Sequence, residues 1–279
     1  MRRNPADRHR RNCGDIKMKL NDIDNGNEFD FGRTSDKYAK YRDIYPQSMY
    51  EKLIAFGIGK KGQRILDLGS GTAILPINMY RTGAYFTATD ISENQIAYAQ
   101  KTASERGIEN IDFRVCSAED TGFDDNSFDV VTAVQCFQYF DKEKATAEIR
   151  RVLKPDGRFC VIFMDWQPYR DAVIMEMEQL VLKYNPSWSG RGFKNFRYSY
   201  PDWAENKFEI ETIHSYNAAL SFTKEAWLGR VKTCRGVGAS LPNDKIAEFE
   251  SEYREVLKKY PESLQLMHQI HIEIYRVNK

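Results

Sequence analysis

Five short apolar runs, separated by amphipathic segments, constrain the fold of this 279-residue chain more than any other feature. The runs are Arg64–Leu68, Ala84–Thr89, Ile111–Cys116, Phe128–Cys136 and Arg158–Met164. Near-continuous apolar strands that alternate with helices are typical of a parallel sheet covered on both faces. The pattern predicts a doubly wound α/β fold, whose ligands bind beyond the carboxyl ends of the strands.

Helix and turn signals agree with this prediction. Ser92 and Gln95 form a capping box, in which each side chain satisfies an amide of the first helical turn. Gly107 suits the left-handed end of that helix. The next helix, Ala145–Leu153, ends before a Pro-Asp-Gly turn. The later part of the chain adds two predicted strands, Phe208–Leu220 and Leu264–Val277. It also adds three predicted helices, which are Pro168–Tyr184, Lys224–Arg235 and Asp244–Lys259.

Charge and composition exclude several classes of protein. The chain has 41 Lys and Arg against 40 Asp and Glu, whereas a protein that binds nucleic acid through its phosphates is usually more basic. No run of 18 apolar residues exists, which excludes a transmembrane helix. The five cysteines contain no CxxC pair, which argues against disulfides and a metal site. We therefore expect a cytoplasmic protein without a nucleic-acid partner, a membrane or a metal.

The sharpest local signal is a glycine turn with an acid on either side. Gly69 and Gly71 lie between a strand and a helix, where missing side chains let a ligand approach the backbone. Asp67 precedes the turn and would attract a cationic ligand. Asp90 follows Gly71 by 19 residues, a spacing at which an acid binds a ribose diol. With Glu119 after the third strand, these residues predict a pocket for a nucleoside that carries a cationic amino-acid tail.

These residues belong to motifs that resemble those of the class I S-adenosylmethionine (SAM)-dependent methyltransferases, of the small-molecule, methyltransferase type 11-like kind. The motifs are LDLGSGT, TATDIS, CSAED, FDVVTAVQCFQYFD and RRVLKPDGRF, in the family's order, within residues 36–165. The resemblance implies a Rossmann-like seven-stranded sheet, mostly parallel with an antiparallel last strand. It also implies SAM as the cofactor. Ala73 replaces the family's third glycine and is small enough to serve.

The resemblance implies roles for eight cofactor-binding residues. Asp67, Gly69 and Gly71 would hold the methionine end, and Asp90 with Ile91 the ribose. Ala118 and Glu119 would contact the adenine, and Gln135 would lie at the inner edge of the cofactor.

A tyrosine-rich segment precedes this core. Tyr38, Tyr41, Arg42 and Tyr45 would share one face of a helix. That helix is either an amphipathic element packed on the core or a lid over the cofactor. Similar segments in the family form such a lid, and an arginine suits a carboxylate because it binds it in a bidentate manner.

The transfer site departs from the family at one position. Many relatives have His where this chain has Gln138, and Gln cannot act as a general base but can orient a nucleophile. Tyr139 and Trp166 would form substrate walls. A sulfonium methyl group is already activated, so positioning and exclusion of water can supply most of the rate enhancement. The sequence therefore favours an acceptor whose nucleophile is already competent.

Organisation along the chain follows from these assignments. We expect a disordered tail at 1–28, lid helices at 29–58, a SAM-binding core at 59–165, a cap insertion with a late strand at 166–235, and a C-terminal helix and final strand at 236–279. The chain has 36 aromatic residues, and all four Trp fall in the predicted cap. This distribution indicates either an aromatic enclosure for a substrate or a cap with its own small core.

The sequence thus predicts a methyltransferase that acts on a small molecule, as a monomer or homodimer. Two alternatives stay open: an NAD(P)-dependent oxidoreductase and a non-catalytic SAM-binding partner module. His268 and His271 would point to opposite faces of a strand, as one structural and one surface histidine rather than a metal site.

Overall fold

The computed structural model describes residues 17–34 and 41–279. The described residues form seven strands, which are β1 (Arg64–Leu68), β2 (Tyr85–Asp90), β3 (Ile111–Val115), β4 (Phe128–Val134), β5 (Leu153–Trp166), β6 (Phe208–Thr223) and β7 (Ser263–Val277). They also form seven α-helices, which are α1 (Gln47–Ala55), α2 (Ile74–Met79), α3 (Glu93–Glu105), α4 (Lys142–Val152), α5 (Ala172–Tyr184), α6 (Lys224–Lys232) and α7 (Asn243–Leu257).

The strands join in one sheet with the order β3-β2-β1-β4-β5-β7-β6. Strands β1 to β5 run parallel to one another, and β7 is antiparallel to both β5 and β6. The predicted α/β Rossmann-like sheet with an antiparallel last strand is therefore confirmed. The strand order reverses direction between β1 and β4, and ligands of such sheets bind beyond the strand ends at this point.

Buried side chains cover both faces of the sheet. In β1, Ile65 packs in the cluster that contains α1 and α3, while Leu66 and Leu68 pack in a second cluster with α4. Successive strand residues point to opposite faces, so a continuous apolar run is what a strand between two helical layers needs. Ser92 caps α3 through a 3.4 Å bond from the amide of Gln95, as predicted. The other half of the predicted capping box is absent from the described residues, because the side chain of Gln95 donates to Phe31 O and its Oε1 accepts no bond there.

The cap is built from α5, α6, α7 and the ends of β6 and β7. These two strands pair from Phe208–Val277 to Thr223–Ser263, so they extend well beyond the rest of the sheet. Trp227 and Tyr253 of the cap are fully buried and belong to the same core cluster as Ile65. The cap and the sheet therefore share one core. None of the helices in the described ranges is long and apolar enough to cross a bilayer.

Two predictions near the N-terminus are wrong. Residues 17–28 are not a loose tail, because Met18 and Phe29 bond to each other through their backbones and Asp24 is buried. The chain from Arg42 to Pro46 is not helical, and α1 begins only at Gln47. The reason is Pro46, which precedes α1 and disfavours a helical conformation in the residue before it. Residues 1–16 and 35–40 lie outside the described part of the chain.

Candidate functional site

A cavity of about 540 Å³ opens beyond the carboxyl ends of the central strands. Its wall includes the glycine loop after β1, the acid at the end of β2, the loop after β3 and the ends of β4 and β5. Representative lining residues are Gly69, Gly71, Asp90, Glu119, Gln135 and Asp165. The volume lies within the range of ordinary ligand pockets, about 300–1,000 Å³.

The glycine loop is fixed by backbone conformation and by space. Gly69 has a φ of +58°, and a Cβ at this position would lie 3.0 Å from the Cβ and Sγ atoms of Cys136. Gly71 has a φ of +57° and also lines the cavity. Both positions favour glycine, because other residues rarely adopt this conformation. The bare loop leaves a cradle that a ligand can approach closely.

Asp67 lies behind this loop rather than in the cavity. It is 2% exposed, and its carboxylate accepts hydrogen bonds from Thr132 Oγ1 at 2.6 Å and Ser70 Oγ at 2.7 Å. Burial raises the pKa of Asp67 to about 6, against the opposing effect of these bonds. Through these hydrogen bonds Asp67 holds the glycine loop in place. The direct contact of Asp67 with the methionine end of SAM, expected from the sequence, stays a prediction.

Asp90 joins the glycine loop to the next helix. Its Oδ2 accepts a 2.8 Å hydrogen bond from the amide of Gly71, and its Oδ1 accepts one of 2.8 Å from the amide of Ser92. Burial raises the pKa of this carboxyl. Asp90 also lines the cavity beside the exposed side chain of Ile91, so its remaining lone pairs can accept from a ligand.

The loop after β3 brings Ala118 and Glu119 to the same wall. Glu119 Oε1 accepts a 3.0 Å bond from the amide of Asp141, and Oε2 accepts from Ser117 Oγ. The wall therefore offers bare glycine backbone and two carboxylates that can accept from ligand hydroxyl or amino groups. This set fits the ribose and adenine of SAM.

Two glutamines follow β4. The backbone of Gln135 has a φ of +60°, its amide donates to Ile162 O at 2.9 Å, and its side chain donates to Met164 O. Gln138 donates through Nε2 to Gln135 O at 3.1 Å. Its Oε1 is buried and has no donor within the described ranges. Both residues line the cavity.

Aromatic side chains close the far end of the cavity. Tyr139 packs against Phe29 and Phe31, with ring centroids 5.5 and 5.6 Å away. Trp166 donates through Nε1 to Glu178 Oε1 at 2.8 Å, and its ring lies 6.3 Å from that of Trp188. Phe31, Tyr139, Trp166 and Trp188 line the cavity, whereas Phe29 and Glu178 support them from behind. The N-terminal segment therefore forms a wall of the site, and the signal for it was the Phe-Asp-Phe-Gly sequence at 29–32.

The remaining residues of the predicted lid do not all lie at the cavity. Arg42 lines the cavity, and its guanidinium donates to Thr233 Oγ1 at 2.9 Å and to Thr233 O at 3.0 Å. Tyr45 packs against the main core and is not part of the cavity wall. Tyr38 lies outside the described residues. The structure thus brings Arg42, but not Tyr45, to the site.

Sequence reasoning missed Asp165, at the end of β5. It lines the cavity, and its Oδ2 lies 3.8 Å from Nδ1 of His271 on β7. Burial raises the pKa of Asp165 to about 6, although the positive charge of Arg230 opposes this. An acid directly after a predicted strand, as at Asp90, was the available signal.

The prediction of a surface histidine is wrong. His268 and His271 are 0% and 6% exposed. His271 is covered because Phe196, from the irregular segment before β6, stacks on it with a centroid distance of 4.1 Å. No group of three or more His, Cys, Asp or Glu residues in ranges 17–34 and 41–279 is arranged to hold a metal ion.

Comparison with known proteins agrees with this geometry. Residues 66–161 match the family model of the methyltransferase domain. The uncharacterized methyltransferase YcgJ of Bacillus subtilis is 27% identical over 211 residues, which cover 73% of this chain and 79% of YcgJ. The crystal structure of YcgJ superimposes with a TM-score of 0.53 at 22% identity, over 84% of this chain and 99% of that one.

A second relative is the ubiquinone/menaquinone biosynthesis C-methyltransferase UbiE of Desulfotalea psychrophila. It is 30% identical over 168 residues, or 58% of this chain. The chain spans 66% of the length of that relative, slightly less than two thirds.

Proposed function

Because this chain carries a class I SAM-dependent methyltransferase domain at residues 66–161, we propose that it transfers the methyl group of SAM to a small-molecule acceptor. Asp90 carries this proposal. Its carboxylate organises the glycine loop through Gly71 and faces the cavity at the place where a ribose would bind. Positioning and exclusion of water then supply most of the rate enhancement.

In this proposal one half of the cavity binds SAM and the other half binds the acceptor. Gly69 and Gly71 would contact the methionine end of SAM, with Asp67 fixing the loop from behind. Asp90 would accept bonds from the ribose, beside Ile91. Adenine would lie against Ala118 and Glu119, and Gln135 would lie beside the sulfur end. Bound SAM supplies a methyl carbon activated by the adjacent sulfonium.

The acceptor would occupy the half enclosed by Tyr139, Trp166 and Trp188. These aromatic walls exclude water and suit a partly apolar molecule. The relative named for ubiquinone/menaquinone biosynthesis points to a ring acceptor, and a hydroquinone is therefore the first candidate class. Gln138 would orient the nucleophile through its free amide oxygen. We also propose a cytoplasmic location and a monomeric or homodimeric state.

Titration calorimetry with SAM and S-adenosylhomocysteine tests the cofactor. We expect saturable binding of both, and absence of binding at millimolar concentration would refute the proposal. Formation of S-adenosylhomocysteine in the presence of a naphthohydroquinone, a catechol, a thiol and an amine would then identify the acceptor class. Binding of NAD(P)H in place of SAM would favour the oxidoreductase alternative. Binding of SAM with no transfer to any acceptor would favour the partner module.

A further inference from the structure

We propose that Asp165 is the proton acceptor of the transfer reaction, and that the acceptor's nucleophile therefore reaches the site with its proton, as a hydroxyl, an ammonium or an acidic C–H group. This inference rests on the proposed function. It replaces the expectation from sequence that the nucleophile arrives already competent.

Asp165 differs from the other carboxylates of the site in its hydrogen bonds. Asp30, Asp67, Asp90 and Glu119 each accept at least one bond from the protein, from Gly32, Thr132, Gly71 and Asp141 respectively. Asp165 lines the same cavity but accepts none from the part of the chain that the structure describes. A carboxylate that lacks internal donors is available to a donor on a ligand.

The sheet topology places Asp165 beside the reacting end of the cofactor. Strand β4 lies between β1, which leads into the glycine loop, and β5, which ends near Asp165. Gln135 follows β4, and its side chain donates to the carbonyl of Met164, the residue before Asp165. The acid therefore lies one strand from the methionine end of the cofactor, on the side of the acceptor.

Two titratable or charged groups within the described ranges face Asp165. His271 approaches from β7 with its Nδ1 at 3.8 Å, and Arg230 acts on it from α6. Burial lowers the pKa of His271 to about 4, so the imidazole is neutral near pH 7 and does not hold Asp165 as an anion. Phe163 and Phe196 pack against the imidazole and fix its position. The surroundings thus favour a carboxylate that takes up a proton near neutral pH.

Gln138 supplies a second acceptor on the same wall. Its Oε1 is buried without a donor in the described ranges. Asp165 and, after a change of its side-chain rotamer, Gln138 would accept hydrogen bonds from a ligand that brings donors, and an anionic nucleophile would be repelled by Asp165.

The proposed step balances in atoms and electrons. The proton of the acceptor moves to a carboxylate oxygen of Asp165, and the electron pair it leaves forms the new bond to the methyl carbon. The carbon–sulfur pair stays on sulfur, so the sulfonium charge disappears and Asp165 becomes neutral.

The first test needs no acceptor. The side-chain carboxyl carbons of ¹³C-labelled aspartate are followed by NMR across pH 4–8, in protein saturated with S-adenosylhomocysteine. Two resonances should titrate near pH 6, those of Asp67 and Asp165. One of them should vanish in Asp165→Asn, and both should persist in Asp156→Asn, which removes an exposed carboxylate between the paired residues Leu153 and Arg158 of β5. Titration of the Asp165 resonance near the ordinary value of about 4 would overturn the proposal.

The second test uses turnover with two matched probes, a naphthohydroquinone and thiophenolate. Asp165→Asn should lower kcat for the hydroquinone by about 10²–10⁴-fold with little change in KM. It should not lower kcat for the thiolate, which has no proton to lose and is no longer repelled by the carboxylate. Wild-type kcat should rise as the pH passes through about 6. A rise in KM with kcat unchanged would assign Asp165 to binding and overturn the proposal.

Calorimetry separates this proposal from the proposed function. Asp165→Asn should bind S-adenosylhomocysteine as the wild type does. If the wild-type protein itself fails to bind the cofactor, the methyltransferase proposal fails, and the NMR titration repeated without S-adenosylhomocysteine still reports on Asp165.

Discussion

Nε of Arg235 lies 3.1 Å from Oδ2 of Asp24, in an ion pair whose side chains are 10% and 2% exposed. The other carboxylate oxygen of Asp24 accepts bonds from the amide and hydroxyl of Ser189 at 2.7 and 3.0 Å. Arg235 also lies over the rings of Phe29 and Tyr139. One buried carboxylate thus ties the N-terminal segment to the cap at the wall of the cavity.

Replacement of Asp24 by Ala should be strongly destabilising, because it leaves Arg235 buried without its partner. We expect a loss of about 3–5 kcal/mol in the free energy of unfolding. Urea unfolding followed by circular dichroism measures it. Asp22→Ala, at an exposed position two residues earlier, is the control and should change stability by less than about 0.5 kcal/mol. Equal effects of the two variants would show that the ion pair does not hold the segment.

Replacement of Asp90 by Ala should abolish most of the affinity for SAM. The variant loses a charged acceptor for the ribose and the anchor of Gly71, so we expect Kd to rise by about 100-fold. Calorimetry measures Kd, and thermal melting checks the fold. Asp112→Ala on β3 removes an exposed carboxylate and should bind normally. Unchanged affinity in a folded Asp90 variant would refute the ribose assignment.

Replacement of Gly69 by Ala should lower both stability and cofactor affinity. The new Cβ would meet Cys136 at 3.0 Å and also strain the left-handed backbone. Gly122→Ala is a matched control, because its φ is +71° but no atom lies within 4 Å of the added Cβ. We expect about 1 kcal/mol from backbone strain in the control and about 2–4 kcal/mol in Gly69→Ala. Equal losses would mean that only the backbone matters.

The two buried histidines should make stability fall as the pH drops from about 6.5 to about 4, whereas Asp67 and Asp165, whose pKa burial raises to about 6, contribute with the opposite sign. His268 and His271 are buried as neutral rings, and burial lowers the pKa of each to about 4. The unfolded state binds protons first in this interval, so stability present above pH 6.5 is lost on acidification, by up to about 3 kcal/mol per ring. Urea midpoints at several pH values measure the slope. His271→Phe keeps the ring stack and should remove only the contribution of His271, up to about 3 kcal/mol over this interval, whereas an unaltered slope would contradict the neutral burial of His271.

Replacement of Asp165 by Asn should stabilise the protein above pH 6. Because the fold raises the pKa of Asp165 to about 6, it favours the protonated form, and the charged form makes folding less favourable. The advantage of Asn should therefore appear between pH 6 and 8 and shrink below pH 4. Thermal melts of the two proteins across this range measure it. A lower melting temperature for Asn at pH 8 would contradict the unfavourable burial of the charge.

The core of the fold follows from local pattern. Strand β1 has the bounds predicted for it, and the other parallel strands differ from prediction only near their ends, apart from the earlier start of β5. Alternating apolar runs and helix caps are encoded within short stretches of sequence. The sheet and its glycine loop could therefore be predicted from the sequence alone. Asp90 and Glu119 reach the cavity for the same reason, since each lies next to a strand end.

Features that depend on contacts between residues far apart in the sequence could not be predicted from local patterns. His271 meets Asp165 only because β7 lies beside β5, an arrangement that joins residues 106 positions apart. The burial of Asp24 depends on Arg235, far along the chain. The predicted helix does not continue through residues 42–46, and part of the reason is local, because Pro46 disfavours a helical conformation at Tyr45.

The shared core of cap and sheet has an evolutionary consequence. The half of the cavity that we assign to the cofactor comes mainly from one stretch, residues 69–119. The half that we assign to the acceptor is assembled from segments near residues 30, 139, 165, 190 and 235. Drift in any one of these segments can reshape the acceptor pocket while the cofactor half is conserved. We expect the lineage of this protein to change acceptors readily, within the limit that Trp227 and Tyr253 keep the cap attached to the sheet.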